Sequence, residues 1–332
     1  MIDYEQTKRT KDLIKIKVIG VGGGGNNAVN QMIQTDIDDV EYILVNTEKG
    51  ILERANTNGC KILQIGKEIA QGLGAGANPE VGERAAKESL DDINKVLEGT
   101  DLLFLTAGMG GGTGTGAIPV IAEAAKKKGI LTIGIVTKPF LFEGKLRSVR
   151  ADLGIDKLKP NVNALIIISN DKLLANTDSN VSILNAFKMT DDILRQGIQS
   201  ITDIINSVGT INVDFADVKT VLEYTGYSYM GIGRDNGENK IVEATMKALN
   251  NPLTETGIEN AKGVIFNIKG SEDISLEDIN KSVQLIGDKV SPDANIIFGT
   301  VIDEDLGDEV IVTVVATGVE EKKEGKNDNK RI

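Results

Sequence analysis

The sequence contains no histidine and no tryptophan, a single cysteine, and only 4% aromatic residues in 332. Without histidine there can be no imidazole general base, no Ser-His or Cys-His nucleophile pair and no His-ligated metal. One cysteine, Cys60, cannot close an internal disulfide, which fits a reducing, cytosolic setting. Few aromatics leave few platforms on which single-stranded bases could stack. Basic residues are outnumbered: 37 Lys and Arg against 49 Asp and Glu give a net charge of −12, which opposes binding along a phosphate backbone. No apolar run approaches the roughly 18 residues of a membrane span. The opening MIDYEQTKRTKD has no apolar signal core. Neither nucleic-acid binding nor direct membrane insertion is expected.

What is present is glycine. There are 37, about 11% against a usual 7%. Five of the six residues at 20–25 are Gly, as are six of the nine at 108–116, with three more at Gly72, Gly74 and Gly76. Clustered glycine implies backbone that turns tightly or approaches something closely.

The rest of the chain reads as an ordinary globular protein of about two domains. Apolar, β-branched runs at 14–20, 40–46, 101–106, 131–137 and 163–169 predict strands. Helical stretches at about 27–34, 80–97 and 117–128 fall between them. Such alternation implies a mostly parallel, Rossmann-like α/β sheet covered on both faces. Ile183, Leu184, Phe187, Leu194, Ile198, Ile201 and Ile205 then recur at helical spacing, predicting a spine helix of about 24 residues. Beyond residue 213, helices at about 215–224, 239–250 and 275–289 alternate with strands at 262–269, 295–302 and 309–317. This part reads as a smaller α+β domain. The expected division is an N-terminal arm at 1–12, an α/β domain at 13–180, a central helix at 181–208, a C-terminal domain at 209–318 and a polar, disordered tail at 319–332.

Gly20, Gly22 and Gly25 satisfy the dinucleotide pattern G-x-G-x-x-G after a strand, and Glu48 lies where a ribose-binding acid would fall. Alone, this favours a dinucleotide oxidoreductase, or simply a tight turn. The second run, GMGGGTGTG, also sits between a strand and a helix. Its successive N–H groups form a nest for phosphate oxygens, to which Thr113 and Thr115 can add hydroxyls. It is not a Walker A loop, because no G-K-[ST] follows. The third run, GLGAGANP, could close over the same crevice. Three phosphate-facing loops suit a triphosphate better than a pyrophosphate.

GGGTGTG at 110–116 resembles the signature of the tubulin/FtsZ superfamily, in its bacterial FtsZ spelling. GVGGGGNNAVN, GLGAGANPEVG, TKPFLFEGKLR, NDKLL and INVDFADVK are similar to that family in the same order, from about residue 14 to Gly318. The resemblance implies a nucleotide-binding domain, a central helix and a smaller C-terminal domain. It also implies a GTP-hydrolysing cytoskeletal protein that assembles head-to-tail, most often as the cell-division ring in the cytoplasm.

Residue by residue, the resemblance assigns GTP or GDP phosphates to Gly22, Gly23, Gly24, Gly110, Gly111, Gly112, Thr113 and Gly114. Gly76 and Ala77 of the third run close over them. It assigns Asn27 to guanine or ribose, Glu143 to the ribose side, Arg147 to the phosphate side, and Asn170 and Asp191 to guanine. Phe187 would stack under the base. Mg²⁺ is expected on phosphate and water oxygens, with no protein carboxylate cage.

Asn212, Asp214 and Asp217 read on their own as a cap for the next helix. The resemblance implies instead that this loop enters the nucleotide pocket of the next subunit and positions the attacking water. Implied partners are further copies of the chain and division-ring regulators. Two features depart from the family: NTEKGIL at 46–52 stands where NTDAQAL is usual, and the polar tail shows no adaptor-binding peptide, which weakens the expectation of adaptor binding through it. A specialised or regulatory relative, or one that segregates plasmids, is the alternative.

Overall fold

The computed structural model describes residues 14–35, 39–55, 59–175, 181–206, 213–224 and 226–319. The expected arm at 1–12, most of the tail, and Asn212 lie outside them.

The N-terminal half is a succession of strands and helices: β1 (Ile16–Val21), α1 (Gly22–Thr35), β2 (Val40–Asn46), α2 (Lys49–Arg54), β3 (Cys60–Gln64), α3 (Lys67–Ala70), α4 (Pro79–Glu88), α5 (Leu90–Val96), β4 (Leu102–Gly108), α6 (Thr113–Lys127), β5 (Leu131–Lys138), α7 (Lys145–Leu158), β6 (Ala164–Ser169) and α8 (Asn170–Ala175). The six strands are parallel in the order β3-β2-β1-β4-β5-β6. That order reverses between β1 and β4, and ligands of open α/β sheets bind at such a reversal, beyond the carboxyl ends of the strands. Both faces are buried, so the strands read as continuous apolar runs rather than alternating ones. Their pleat still sorts the side chains. Ile19 and Val21 of β1 join Leu103 and Leu105 against α4 to α7, whereas Ile16 and Val18 join Phe104 against α1.

The spine helix is α9 (Ile183–Asn206), 24 residues or roughly 36 Å long. Leu194, Ile198 and Ile201 are fully buried, each contributing about 1.5–3 kcal/mol. They pack with Val29 and Met32 of α1 on one side and with Ile265 and Val315 of the C-terminal half on the other. The expected stripe overruns this core at its start, where Ile183 and Leu184 are exposed.

The C-terminal half comprises α10 (Phe215–Leu222), β7 (Gly226–Asp235), α11 (Lys240–Leu249), β8 (Gly263–Gly270), α12 (Leu276–Gly287), β9 (Asn295–Ile302) and β10 (Val310–Val319). Its strands do not form a sheet of their own. They continue the first sheet as β6-β7-β10-β8-β9, ten strands in all among the described residues. A third apolar cluster, including Tyr229, Phe266 and Val312, lies between these strands and α11 and α12.

Two strands escape the sequence pattern. β3 is short, half exposed and lies at the sheet edge. β7, GYSYMGIGRD, looks broken by glycine, yet its glycines permit close packing. A Cβ on Gly231 would lie 1.8 Å from Ala248 O, and one on Gly233 1.9 Å from Ala244 O, so α11 can lie directly on the strand only because both are absent. The single helix expected at 80–97 divides at Ser89 into α4 and α5.

Candidate functional site

The three glycine runs meet at the carboxyl end of the parallel strands. A Cβ on Gly22 would lie 2.7 Å from the Gly114 nitrogen, and one on Gly24 3.1 Å from Gly108 Cα. The first and second runs therefore touch backbone to backbone. Gly112 in turn abuts the third run, 2.8 Å from Ala75 Cβ and from the Asn78 nitrogen. Gly110 lies against Arg147, whose carbonyl oxygen a Cβ would meet at 2.7 Å. These glycines are explained by packing. Gly23, Gly76 and Gly111 are not, because a Cβ on any of them would meet nothing within 4 Å. Gly76 and its neighbour Ala77 have φ of 56°, in the left-handed region, which a Cβ-bearing residue adopts at a cost of about 1 kcal/mol.

Side chains fix the loops to one another. Asn26, fully buried, donates through Nδ2 to Gly20 O at 2.8 Å and Val45 O at 3.3 Å, clamping the ends of β1 and β2. Asn46 Nδ2 donates to Asn26 Oδ1 at 2.7 Å. The Thr47 and Thr113 hydroxyls are 2.7 Å apart and join the β2 loop to the second run. Thr115 does not face the crevice. It is buried, and its Oγ1 accepts from the Gly110 N–H at 2.8 Å, holding the run in its turn. Glu48, at the departure from the family pattern, pairs across a short bridge with Leu73 of the third run.

The remaining candidates line an adjoining wall. Asn27 is exposed on α1, beside buried Asn26. Glu143 accepts from the Phe140 N–H through Oε1 at 2.9 Å, and its Oε2 lies 3.1 Å from Arg147 Nε. Phe140 is buried, with Phe142 stacked at 5.0 Å and Phe187 set edge-on at 5.2 Å. Phe187 keeps a partly open face, at 38% exposure. Asn170, buried at the start of α8, accepts from Thr190 Oγ1 at 3.3 Å, which joins α8 to α9.

The next residue, Asp191, is half buried and has no hydrogen-bond donor or cation beside it among the described residues. Burial pushes its carboxyl up to about 7. A carboxylate so placed is an acceptor awaiting donors. The family resemblance named Asp191 but could not show that it lacks a partner. Asn26, Asn46, Thr47 and Thr190 were missed, because an Asn or Thr that clamps a loop has no period of its own.

Asp214 and Asp217 are elsewhere. Asp214 caps α10, its Oδ1 accepting from the Asp217 N–H at 2.8 Å, and both side chains are exposed. They follow the far end of α9, and the fifteen residue steps from Asp191 to Asn206 span about 22 Å of that helix.

A model of the tubulin/FtsZ family GTPase domain matches residues 15–178, and one of the FtsZ family C-terminal domain matches residues 226–320. A structure described as an empty FtsZ dimer from M. jannaschii is 39% identical, over 96% of this chain and 95% of that one, with a TM-score of 0.86. The chain belongs to the tubulin/FtsZ family. A tryptophan-to-tyrosine variant of FtsZ from M. jannaschii is 41% identical over 92% and 91% of the two chains, again with a TM-score of 0.86. CetZ2 from Haloferax volcanii, described as a GTPγS-bound protofilament, shares the fold at 20% identity and a TM-score of 0.81, over 93% and 95%. The expected mostly parallel α/β architecture is that of the family, whose GTPase domain implies binding and hydrolysis of GTP.

Proposed function

We propose that the chain is a GTP-hydrolysing filament subunit of the cell-division ring, with each active site completed by the next subunit. The observation that carries this reading is the separation of the two halves of the chemistry. The glycine crevice and Asp191 lie toward the start of α9, whereas Asp214 and Asp217 follow its end and cap a different helix, α10, so in this reading one chain does not bring them together. A second copy stacked head-to-tail can. Such heterologous contacts propagate as open filaments. The dimer and protofilament descriptions of the solved relatives support the same assembly.

The residues present fit a guanine nucleotide. The space beside Gly23, Gly76 and Gly111 suits phosphate oxygens approaching backbone N–H groups. The unpartnered Asp191 carboxylate suits the N1–H and N2–H donors of guanine. Phe187 offers its open face to the base, Asn27 and Asn170 their polar ends, and Glu143 and Arg147 the ribose and phosphate sides. Mg²⁺, held on phosphate and water oxygens, would supply charge neutralisation. Asp214, Asp217 and Asn212 of the neighbouring copy orient water, a sufficient role because phosphoryl transfer rests mainly on positioning and electrostatics. The site of action is the cytoplasmic face of the division site.

The test is GTP hydrolysis per molecule against protein concentration, with Mg²⁺ present. Activity near zero at low concentration and rising steeply past a threshold is expected. A constant rate per molecule would overturn the shared site.

A further inference from the structure

The ten-stranded sheet is split at the junction of its two halves. β6 and β7 pair only over Ala164–Ile166 and Gly226–Ser228, so Ile167, Ile168 and Ser169 have no β7 partner. A segment between α11 and β8 fills the gap. The Ser169 N–H donates to Leu253 O at 2.9 Å, and the Glu255 N–H donates to Ile167 O at 3.3 Å. Ile168 and Thr254 form an antiparallel bridge between these two bonds. Thr256 Oγ1 donates to Ser228 O of β7 at 3.1 Å, and Lys172 Nζ donates to Thr254 O at 3.0 Å. The strap at 253–256 is therefore bonded to both lips of the split.

Its position matters because of what begins there. Asn170 follows Ser169 directly. On the next strand, Lys138 ends β5, and its Nζ lies 2.7 Å from Glu255 of the strap and 2.8 Å from Asp152 of α7. The preceding residue, Thr137, accepts through its carbonyl from the Met109 N–H at 2.9 Å, inside the second glycine run. One short chain of contacts thus runs from the C-terminal half, through Glu255 and Lys138, to the phosphate-side loop. A second runs through Leu253 and Ser169 to Asn170.

We propose that Lys138 and Glu255 form a positioning pair for the nucleotide site, with the strap at 253–256 holding the guanine-side and phosphate-side loops in register with the C-terminal half. This rests on the reading of the glycine crevice as a GTP site. It adds a coupling: a bound nucleotide that orders these loops also orders the strap, and a displaced C-terminal half loosens nucleotide binding. The route is separate from α9 and from the loop before α10.

Charge reversal tests it in the full-length chain. In Glu255→Lys the strap faces Lys138 with like charge. In the triple variant Lys138→Glu, Asp152→Lys, Glu255→Lys both contacts of position 138 are restored in opposite sense. Circular dichroism establishes the fold, and GTP binding is measured by titration below the assembly threshold. Glu255→Lys is expected to weaken GTP about fivefold or more, the order of effect for coupled neighbours, and the triple variant to recover to within about twofold. Affinity unchanged in the folded single variant, or equal weakening in both variants, would overturn the positioning role while leaving the GTP site standing. Absence of GTP binding by the unaltered chain would overturn both. Should the single variant not fold, Glu255→Gln replaces it, with a weakening of about twofold expected and unchanged affinity again overturning the role.

Discussion

Asp191 sets function against stability, and Asp191→Asn separates the two. A carboxyl whose folded-state pKa lies above its unfolded value costs stability as pH rises. The cost is absent below about pH 3.8, grows through the window to 7 and is complete above it. A shift of about three units corresponds to about 4 kcal/mol at most. Asp191 is only half buried, so solvent screening reduces this to about 1–3 kcal/mol. In the absence of nucleotide, Asp191→Asn should therefore unfold later than the unaltered chain at pH 8, by a few degrees. At pH 4 the two should nearly coincide. Guanine donors need the ionised carboxylate, so binding draws the proton off. GTP affinity should fall about tenfold per pH unit below 7 in the unaltered chain, and the variant should lose both the affinity and the slope. Differential scanning fluorimetry and titration calorimetry across pH measure the two effects. A variant no more stable at pH 8, with GTP affinity and pH slope intact, would refute the argument that Asp191 is an unpaired carboxylate kept for the base.

The glycines divide into two experimental classes. Gly116→Ala should cost about 3 kcal/mol or more, because its Cβ would fall 1.9 Å from Pro79 O where α4 crosses α6. Gly23→Ala should leave the melting temperature nearly unchanged and weaken GTP, since only a ligand would meet its methyl group; equal affinity would remove Gly23 from the phosphate site. Asp214→Ser should keep the α10 cap to within about 0.5 kcal/mol and keep GTP binding, yet abolish turnover. A turnover rate preserved in that variant would restrict Asp214 to its capping role.

Much of the fold was legible in local pattern. The strands at 14–20, 101–106 and 131–137 and the stripe of α9 are repeating apolar signals, and burial forces such signals on any chain that packs a sheet between helices. The glycine runs announced backbone that packs closely on other backbone, as at Gly22, Gly110 and Gly112, where a Cβ would collide with its neighbours. Helix caps also have short-range causes: Asp214 accepts from the Asp217 N–H at the start of α10, as the residues alone suggest.

Other features were settled by what lies across from each residue. Asn26 and Asn27 are chemically the same in sequence. The rotation of α1 alone turns one into the clamp between β1 and β2 and leaves the other exposed. Gly231 and Gly233 look like breaks until α11 is laid upon them. The merging of two expected sheets into one depends on β6 and β7 meeting for three residues and then parting around the strap at 253–256, some ninety positions along the chain. The sequence by itself determined most of the elements and the three glycine loops, because turn chemistry and apolar period act over a few residues. Tertiary structure alone decided that Asp191 is left without a partner among the described residues and that Thr115 turns from the crevice to hold the Gly110 N–H, because burial and contacts belong to the packed chain.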